Sequence, residues 1–295
     1  MNRKGKSYLF RTVNVVFLAF LAALCLLPLI HIAAVSFSDQ AAVSANQVGL
    51  FPKGFTLASY KMVAKRGAFW KAFGVSVNRV ILGVAINTVI TVLMAYPLSK
   101  SEKEFPFRRV YVWLLIFVMI FDGGLVPNYL LVHNLKLFDT IWALGLPTAV
   151  PIYNIILTMN FMKQLPGTIE EAAMVDGAGY FQRFVYLIIP LSKPVIATVT
   201  LFSFIGHWNS WFDGKIYNNQ TTNYPLQTYL QSIIVVRDTA LLATASKETL
   251  EMMSTVSDRT LKSAQIFIAA APILAVYPFV QKYFMKGLTV GSVKG

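Results

Sequence analysis

Two groups of residues in this chain have types and spacings that could do chemistry. The first lies in Pro166–Pro194, which reads P-G-T-I-E-E-A-A-M-V-D-G-A-G-Y-F-Q-R-F-V-Y-L-I-I-P-L-S-K-P. It carries Glu170, Glu171 and Asp176, the small pair Ala172 and Ala173, then Gly177 and later Pro190. Carboxylates at the start of a helix suit its dipole, and paired alanines let another backbone come close. No nucleophile is set beside a base, so this chemistry is recognition rather than catalysis. The second group is His207-Trp208-Asn209-Ser210-Trp211. Aromatic rings stack on the apolar faces of sugars, and His or Asn side chains hydrogen-bond hydroxyls. Trp208 and Trp211, at i and i+3, would share a helix face. The competing account is an aromatic belt at the membrane surface, which does not ask for His207 and Asn209 between the rings. Asp122, in F-D-G-G, is a further candidate for the same path. The histidines His31, His133 and His207 lack metal-ligand spacing, and the single cysteine, Cys25, allows no disulfide within the chain. Gly5-Lys6-Ser7 lacks the upstream glycine and strand of a phosphate loop.

The elements that must hold these residues are helices. Thr168 with Glu171 three positions on matches a capping box after the breaker Pro166-Gly167. Gly177 and Gly179 turn the chain. A second helical segment over 180–188 places Phe181, Phe184, Val185 and Ile188 on one face. Pro190 and Pro194 lead back into an apolar run.

Composition sets the class. The chain is 56% hydrophobic and 13% charged, with a mean hydropathy of +0.59. Soluble domains carry about 25% charged residues, so the prediction is an all-α, polytopic membrane protein. Spans are predicted at about 13–35, 72–98, 110–131, 141–162, 195–212 and 263–283. They form a single domain over 1–295, with a polar loop 163–194 between the fourth and fifth and outer loops at 38–71 and 213–262. The first run is too long for a signal-peptide core and is read as an uncleaved span. Leu57–Tyr60 and Phe69-Trp70 suggest interfacial amphipathic helices. Arg79, near the start of the second span, is expected to snorkel to the interface rather than to contact substrate, the other reading of an arginine at that place. Gly123, Gly124 and Pro127 are expected to weaken or break the third span beside Asp122.

The net charge of +13 does not point to nucleic acid. Lysines and arginines crowd the N-terminus, loop 99–109, loop 163–193 and the tail, and short loops weigh most in the positive-inside rule. Both termini and the Pro166–Pro194 segment are therefore expected in the cytoplasm.

Glu171, Ala172, Ala173, Gly177 and Pro190 stand at the spacing E-A-A, three residues, G, nine residues, I-x-L-P, with Leu187 for Ile and Ile189 for Leu. The segment resembles the EAA loop of permease subunits of ABC importers. The closing Y-P-F-V-Q-K-Y-F-M-K-G-L-T-V-G-S-V-K-G resembles the end of carbohydrate-type permeases, the group that includes the maltose importer's shorter permease. F-D-G-G-L-V-P-N-Y-L-L and G-H-W-N-S-W-F are similar to complex-oligosaccharide permeases of the YtcP and LplC type, a subgroup that importers of uronate oligosaccharides such as alginate also resemble. The resemblance implies a coupling helix that seats in a groove on a cytoplasmic ATPase, with Glu170, Glu171, Ala172, Ala173, Asp176, Gly177 and Pro190 on its surface and Lys294 and Gly295 as tail contacts. It also implies a second homologous permease, two ATPase subunits, an extracytoplasmic solute-binding protein and a bacterial inner-membrane location amid lipid.

The expected function is binding-protein-dependent oligosaccharide import by alternating access. The chain is expected to be no enzyme itself and to hold no cofactor, with ATP and magnesium on the ATPase. The alternative is a self-contained ion-coupled secondary transporter, which needs intramembrane ionisable groups, and Asp122 is its only acidic candidate. A membrane-embedded enzyme would want clustered His, Asp or Glu at membrane depth, and the sequence offers none.

Overall fold

Prolines and glycines decide where the long apolar runs bend. The computed structural model describes residues 3–235 and 257–291, whose regular structure is entirely helical. Lys294, Gly295 and most of the helix-prone stretch at 239–261 lie outside the described residues. Helices α1 (Arg3–Ser36), α4 (Gly67–Ser99) and α15 (Asp258–Gly291) are long. Between α1 and α4 lie the short α2 (Gln40–Ser44) and α3 (Ala58–Lys65). After α4 come α5 (Arg108–Ile120), α6 (Leu125–Asn134), α7 (Ile141–Gly145) and α8 (Ile152–Lys163). The Pro166–Pro194 segment folds as α9 (Gly167–Val175), α10 (Tyr180–Arg183), a π-helical turn over Phe184–Ile188 and α11 (Ile189–Leu191). It leads into α12 (Lys193–Asn209), α13 (Phe212–Tyr217) and α14 (Leu226–Val235).

By length and composition, Phe10–Ser36, Gly67–Ser99 and Asp258–Val276 could each cross a membrane. Three bent pairs raise the number to as many as six if each pair is one span. α5 and α6 meet at 109°. With 13 residues, α5 rises about 20 Å, short of a hydrocarbon core of roughly 30 Å. The break is local chemistry: Gly124 takes φ +85° and its N–H donates to Asp122 Oδ1 at 3.0 Å. Pro147 and Pro151 flank the 47° bend before α8, and Pro190 and Pro194 flank the 76° bend before α12.

The chain divides into two compact units, Met1–Trp70 with Leu230–Pro272, and Lys71–Tyr229 with Ile273–Gly295. In the first, Asp39 caps α2 by accepting the Ala42 N–H at 2.7 Å. Phe37 stacks on Tyr60 and meets Phe267 edge-on. Arg259 Nη1 donates to Asn46 Oδ1 at 2.6 Å. In the second, Val92, Ala95 and Leu98 of α4 pack with Leu115 of α5, Ile155 and Met159 of α8, and Phe184 and Ile188 of the π-helical turn. That core ties the Pro166–Pro194 segment to three helices.

Candidate functional site

The Pro166–Pro194 segment begins at Pro166, whose φ of −61° and ψ of 119° leave it extended as the N-cap of α9. The helix therefore starts at Gly167, two residues earlier than a Thr168 cap requires. Thr168 lies within the first turn, and no side chain caps this end, which corrects the capping box expected from Thr168 and Glu171. The far end closes as a Schellman motif: Ala178 N–H donates to Ala173 O at 2.9 Å and Gly177 N–H to Met174 O at 3.0 Å. Gly177 sits at φ +80°, where a side chain is strained whatever the space around it. Gly179 N–H then donates to the Gln182 side chain at 2.9 Å, starting α10.

The face of this segment is divided. Glu170 turns inward and pairs with Lys100, just beyond the end of α4, while the Lys100 ammonium lies over the Tyr96 ring. Glu171, Ala172, Asp176, Gly177 and Pro190 are exposed, and Ala173 is half-buried. Phe184 and Ile188 point into the core, but Phe181 is 76% exposed. The single apolar face expected over 180–188 is thus split, and Phe181 joins the exposed Met174, Val175 and Tyr180. Arg183 is buried against the Tyr180 ring.

The second group is reorganised by Arg79. Its side chain does not snorkel: it is 2% exposed, ion-paired with Asp213, and donates from Nη1 to Asp213 Oδ1 at 3.1 Å and to Ser210 O at 3.2 Å. Ser210 Oγ also donates to Asp213, at 2.7 Å. This cluster holds Ser210 in an extended conformation and ends α12 at Asn209. Trp208 and Trp211 consequently do not share a helix face. Trp208 is 2% exposed, stacked with Phe204 and edge-on to Phe73, whereas Trp211 is 41% exposed. Asn209 is exposed, and so is Asp122, whose carboxylate caps its own turn at Gly124.

His207 is buried beside α4, where a Cβ on Gly83 would collide with its ring. Its Nε2 lies 3.2 Å from Asn87 Oδ1, and Asn87 Nδ2 donates to Thr148 O at 3.1 Å. Asn154 Nδ2 donates to Ser203 Oγ at 3.2 Å and to Val199 O at 3.3 Å. Arg79, Asn87, Thr148, Asn154, Ser203 and His207 line one cavity of about 470 Å³. Of the His207–Trp211 group, His207 and Ser210 are on its wall, and Trp208, Asn209 and Trp211 are not; nor is Asp122. Asn87 and Asn154 were the missed signals, polar residues inside otherwise apolar runs. Among the described residues no group of three or more His, Cys, Asp or Glu side chains could hold a metal ion.

Residues 67–290 match the family described as binding-protein-dependent transport system inner membrane component. The chain belongs to this family. The permease is 40% identical to Protein LplC of Bacillus subtilis (strain 168) over 100% of its own length and 98% of the relative's. It is 36% identical to the polygalacturonan/rhamnogalacturonan transport system permease protein YtcP of the same organism, over 98% of its length and 100% of the relative's. The solved structure of a bacterial ABC transporter involved in the import of the acidic polysaccharide alginate contains a similar chain. That chain is 32% identical with a TM-score of 0.84, covering 96% of this permease and 99% of the solved chain. The resemblance to ABC-importer permeases drawn from Glu171, Gly177 and Pro190 is borne out, and the fold is theirs. Proteins of this family are transport components of the inner membrane rather than enzymes.

Proposed function

We propose that the permease forms half of the pore of an ATP-driven, binding-protein-dependent importer of oligosaccharides, and that its substrates are acidic, uronate-containing ones. The observation that carries the reading is likeness over nearly the whole chain to both a polygalacturonan/rhamnogalacturonan permease and a chain of an alginate importer. The three long helices and three bent pairs serve as six spans in one permease domain, with both termini in the cytoplasm. Segment 163–194 is the cytoplasmic coupling loop. Its exposed surface, Glu171, Ala172, Asp176 and Gly177 with Met174, Val175 and Phe181 beside them, docks on the ATPase. Glu170 positions that surface through Lys100, Pro190 re-enters the membrane, and Lys294 and Gly295 add contacts from the tail.

A second homologous permease completes the pore. Two ATPase subunits hold ATP and magnesium, and a solute-binding protein docks on the outer loops 38–71 and 213–262. His207 lines the substrate path; Asn209, Trp211 and Asp122 are exposed positions along it, and Trp208 shapes it from within the packing. ATP closes the ATPase dimer, the coupling helices move together, and the pore turns outward to take substrate from the binding protein.

The test is reconstitution of the complex with its binding protein. Oligogalacturonate or alginate oligosaccharides should stimulate ATP hydrolysis and enter the vesicles, while neutral oligosaccharides of equal length should not. Uptake driven by an ion gradient without ATP would replace this reading with the secondary transporter.

A further inference from the structure

The cavity walled by α4, α8 and α12 contains a donor that no part of the import scheme uses. Arg79 commits its two Nη atoms to Asp213 and the Ser210 carbonyl. Its Nε–H is buried and has no partner among the described residues, and the side chain lines the cavity. A buried donor on a charged group is costly to leave unpaired, so an acceptor brought by a ligand gains what the protein does not supply. The other polar wall groups hold one another: His207 with Asn87, Asn87 with Thr148, and Asn154 with Ser203. The charged side chains at this wall are Arg79 and, behind it, Asp213, so the pair is electrically balanced. A cavity of about 470 Å³ falls within the range of roughly 300–1,000 Å³ usual for small-molecule sites.

We propose that this cavity is a way-station for the carboxylate of a uronate residue, which accepts the Arg79 Nε–H while Asp213 keeps the arginine balanced. The balance matters for transport. A bare guanidinium in a low-dielectric site would hold an anion tightly, whereas a path must bind strongly enough to admit its cargo and weakly enough to release it. A pre-paired arginine with one spare donor meets both demands. This site rests on the acidic-oligosaccharide reading above.

The test uses the assembled complex in vesicles, with Cys25→Ala to remove the native thiol and Val150→Cys as reporter. Val150 is exposed and lines the cavity. The measurement is the rate at which a small water-soluble thiol reagent labels the reporter, with oligogalacturonate or its methyl ester as probe. The acid should slow labelling and the ester should not. Asp213→Asn unbalances Arg79 and should lower the half-protecting acid concentration about tenfold. The double variant Arg79→Met/Asp213→Leu removes donor and counter-ion together and should abolish protection by the acid. The opposite signs of these two effects separate a carboxylate site from general damage to the fold. Equal protection by acid and ester, no protection at all, or acid-selective protection in the double variant would each overturn the site. Uptake with binding protein is read in parallel. Acid imported without protecting Val150→Cys sinks the way-station alone; protection without import sinks the import reading alone.

Discussion

Asp213 and Ser210 turn Arg79 from an interfacial cation into part of the interior. Removing one partner of a buried pair strands the other. Arg79→Ala is therefore expected to destabilise the permease by about 3–5 kcal/mol, while the apolar pair Arg79→Met/Asp213→Leu should recover most of the loss. Thermal unfolding of the purified complex measures both, and a fully stable Arg79→Ala would mean the pair carries no structural role. Gly177 is fixed for a different reason. Its φ of +80° costs a side-chain-bearing residue about 1–2 kcal/mol, and space is not the obstacle, since a Cβ at this position would meet only open space. Gly177→Val should therefore distort the end of α9 without unfolding the spans. ATP hydrolysis should continue while uptake per ATP falls several-fold, and Gly177→Asn should be milder because Asn tolerates the left-handed region.

At the scale of elements, the Lys100–Glu170 ion pair links α9 to the residue that follows α4. Lys100→Glu should release the helix and lower coupled uptake, and the reversed pair Lys100→Glu/Glu170→Lys should restore it. Failure of the double reversal to rescue would show that Lys100 acts on something other than Glu170. Exposed Glu171 has no such ion pair among the described residues, so Glu171→Lys should impair coupling with little change in stability. Asp139 joins the turn before α7 to the turn after α13. Its carboxylate accepts from Asn219 Nδ2 at 3.0 Å, Asn219 N–H at 2.8 Å and Gln220 N–H at 3.1 Å. The Asn219 side-chain bond, followed by the Gln220 N–H, holds its pKa below the ordinary carboxylate value. A depressed pKa means the link is complete above the unfolded value of about 3.9 and is lost only as pH falls through the lower folded one. The amide signals of Asn219 and Gln220 should therefore titrate with a midpoint below that of a free aspartate; a midpoint at or above it would dissociate the link from Asp139.

At the scale of the whole molecule, the exposed surface is partly unfinished. Residues 10–30 of α1 are exposed among the described residues, as are Trp113, Leu114, Phe117 and Ile120 of α5. Lipid and a second permease are the expected cover, with an ATPase under the α9 surface. Purification through a tag on this chain in mild detergent should bring both along. Recovery of an active transporter containing this chain alone would contradict the assembly.

The permease's sequence determined what depends on neighbours along the chain. Apolar runs specify long helices, Gly177 specifies a left-handed stop, Gly124 and the prolines specify breaks, and the E-A-A, G and P spacing carries the resemblance to the family. The helices, the stop and the breaks are short-range consequences of sterics and hydrogen bonding within a few residues. The cap at Thr168 shows the limit even there, because the extended Pro166 moved the helix start by two residues and changed which side chains could cap. The cavity was decided by tertiary structure alone. Arg79 finds Asp213 at a separation of 134 residues, and Asn87 finds His207 at 120. Periodicity tells which face of a helix is polar but not which helix will meet it. Burial then makes the Arg79 Nη atoms take the partners the packing brings, Asp213 and the Ser210 carbonyl, instead of reaching for water.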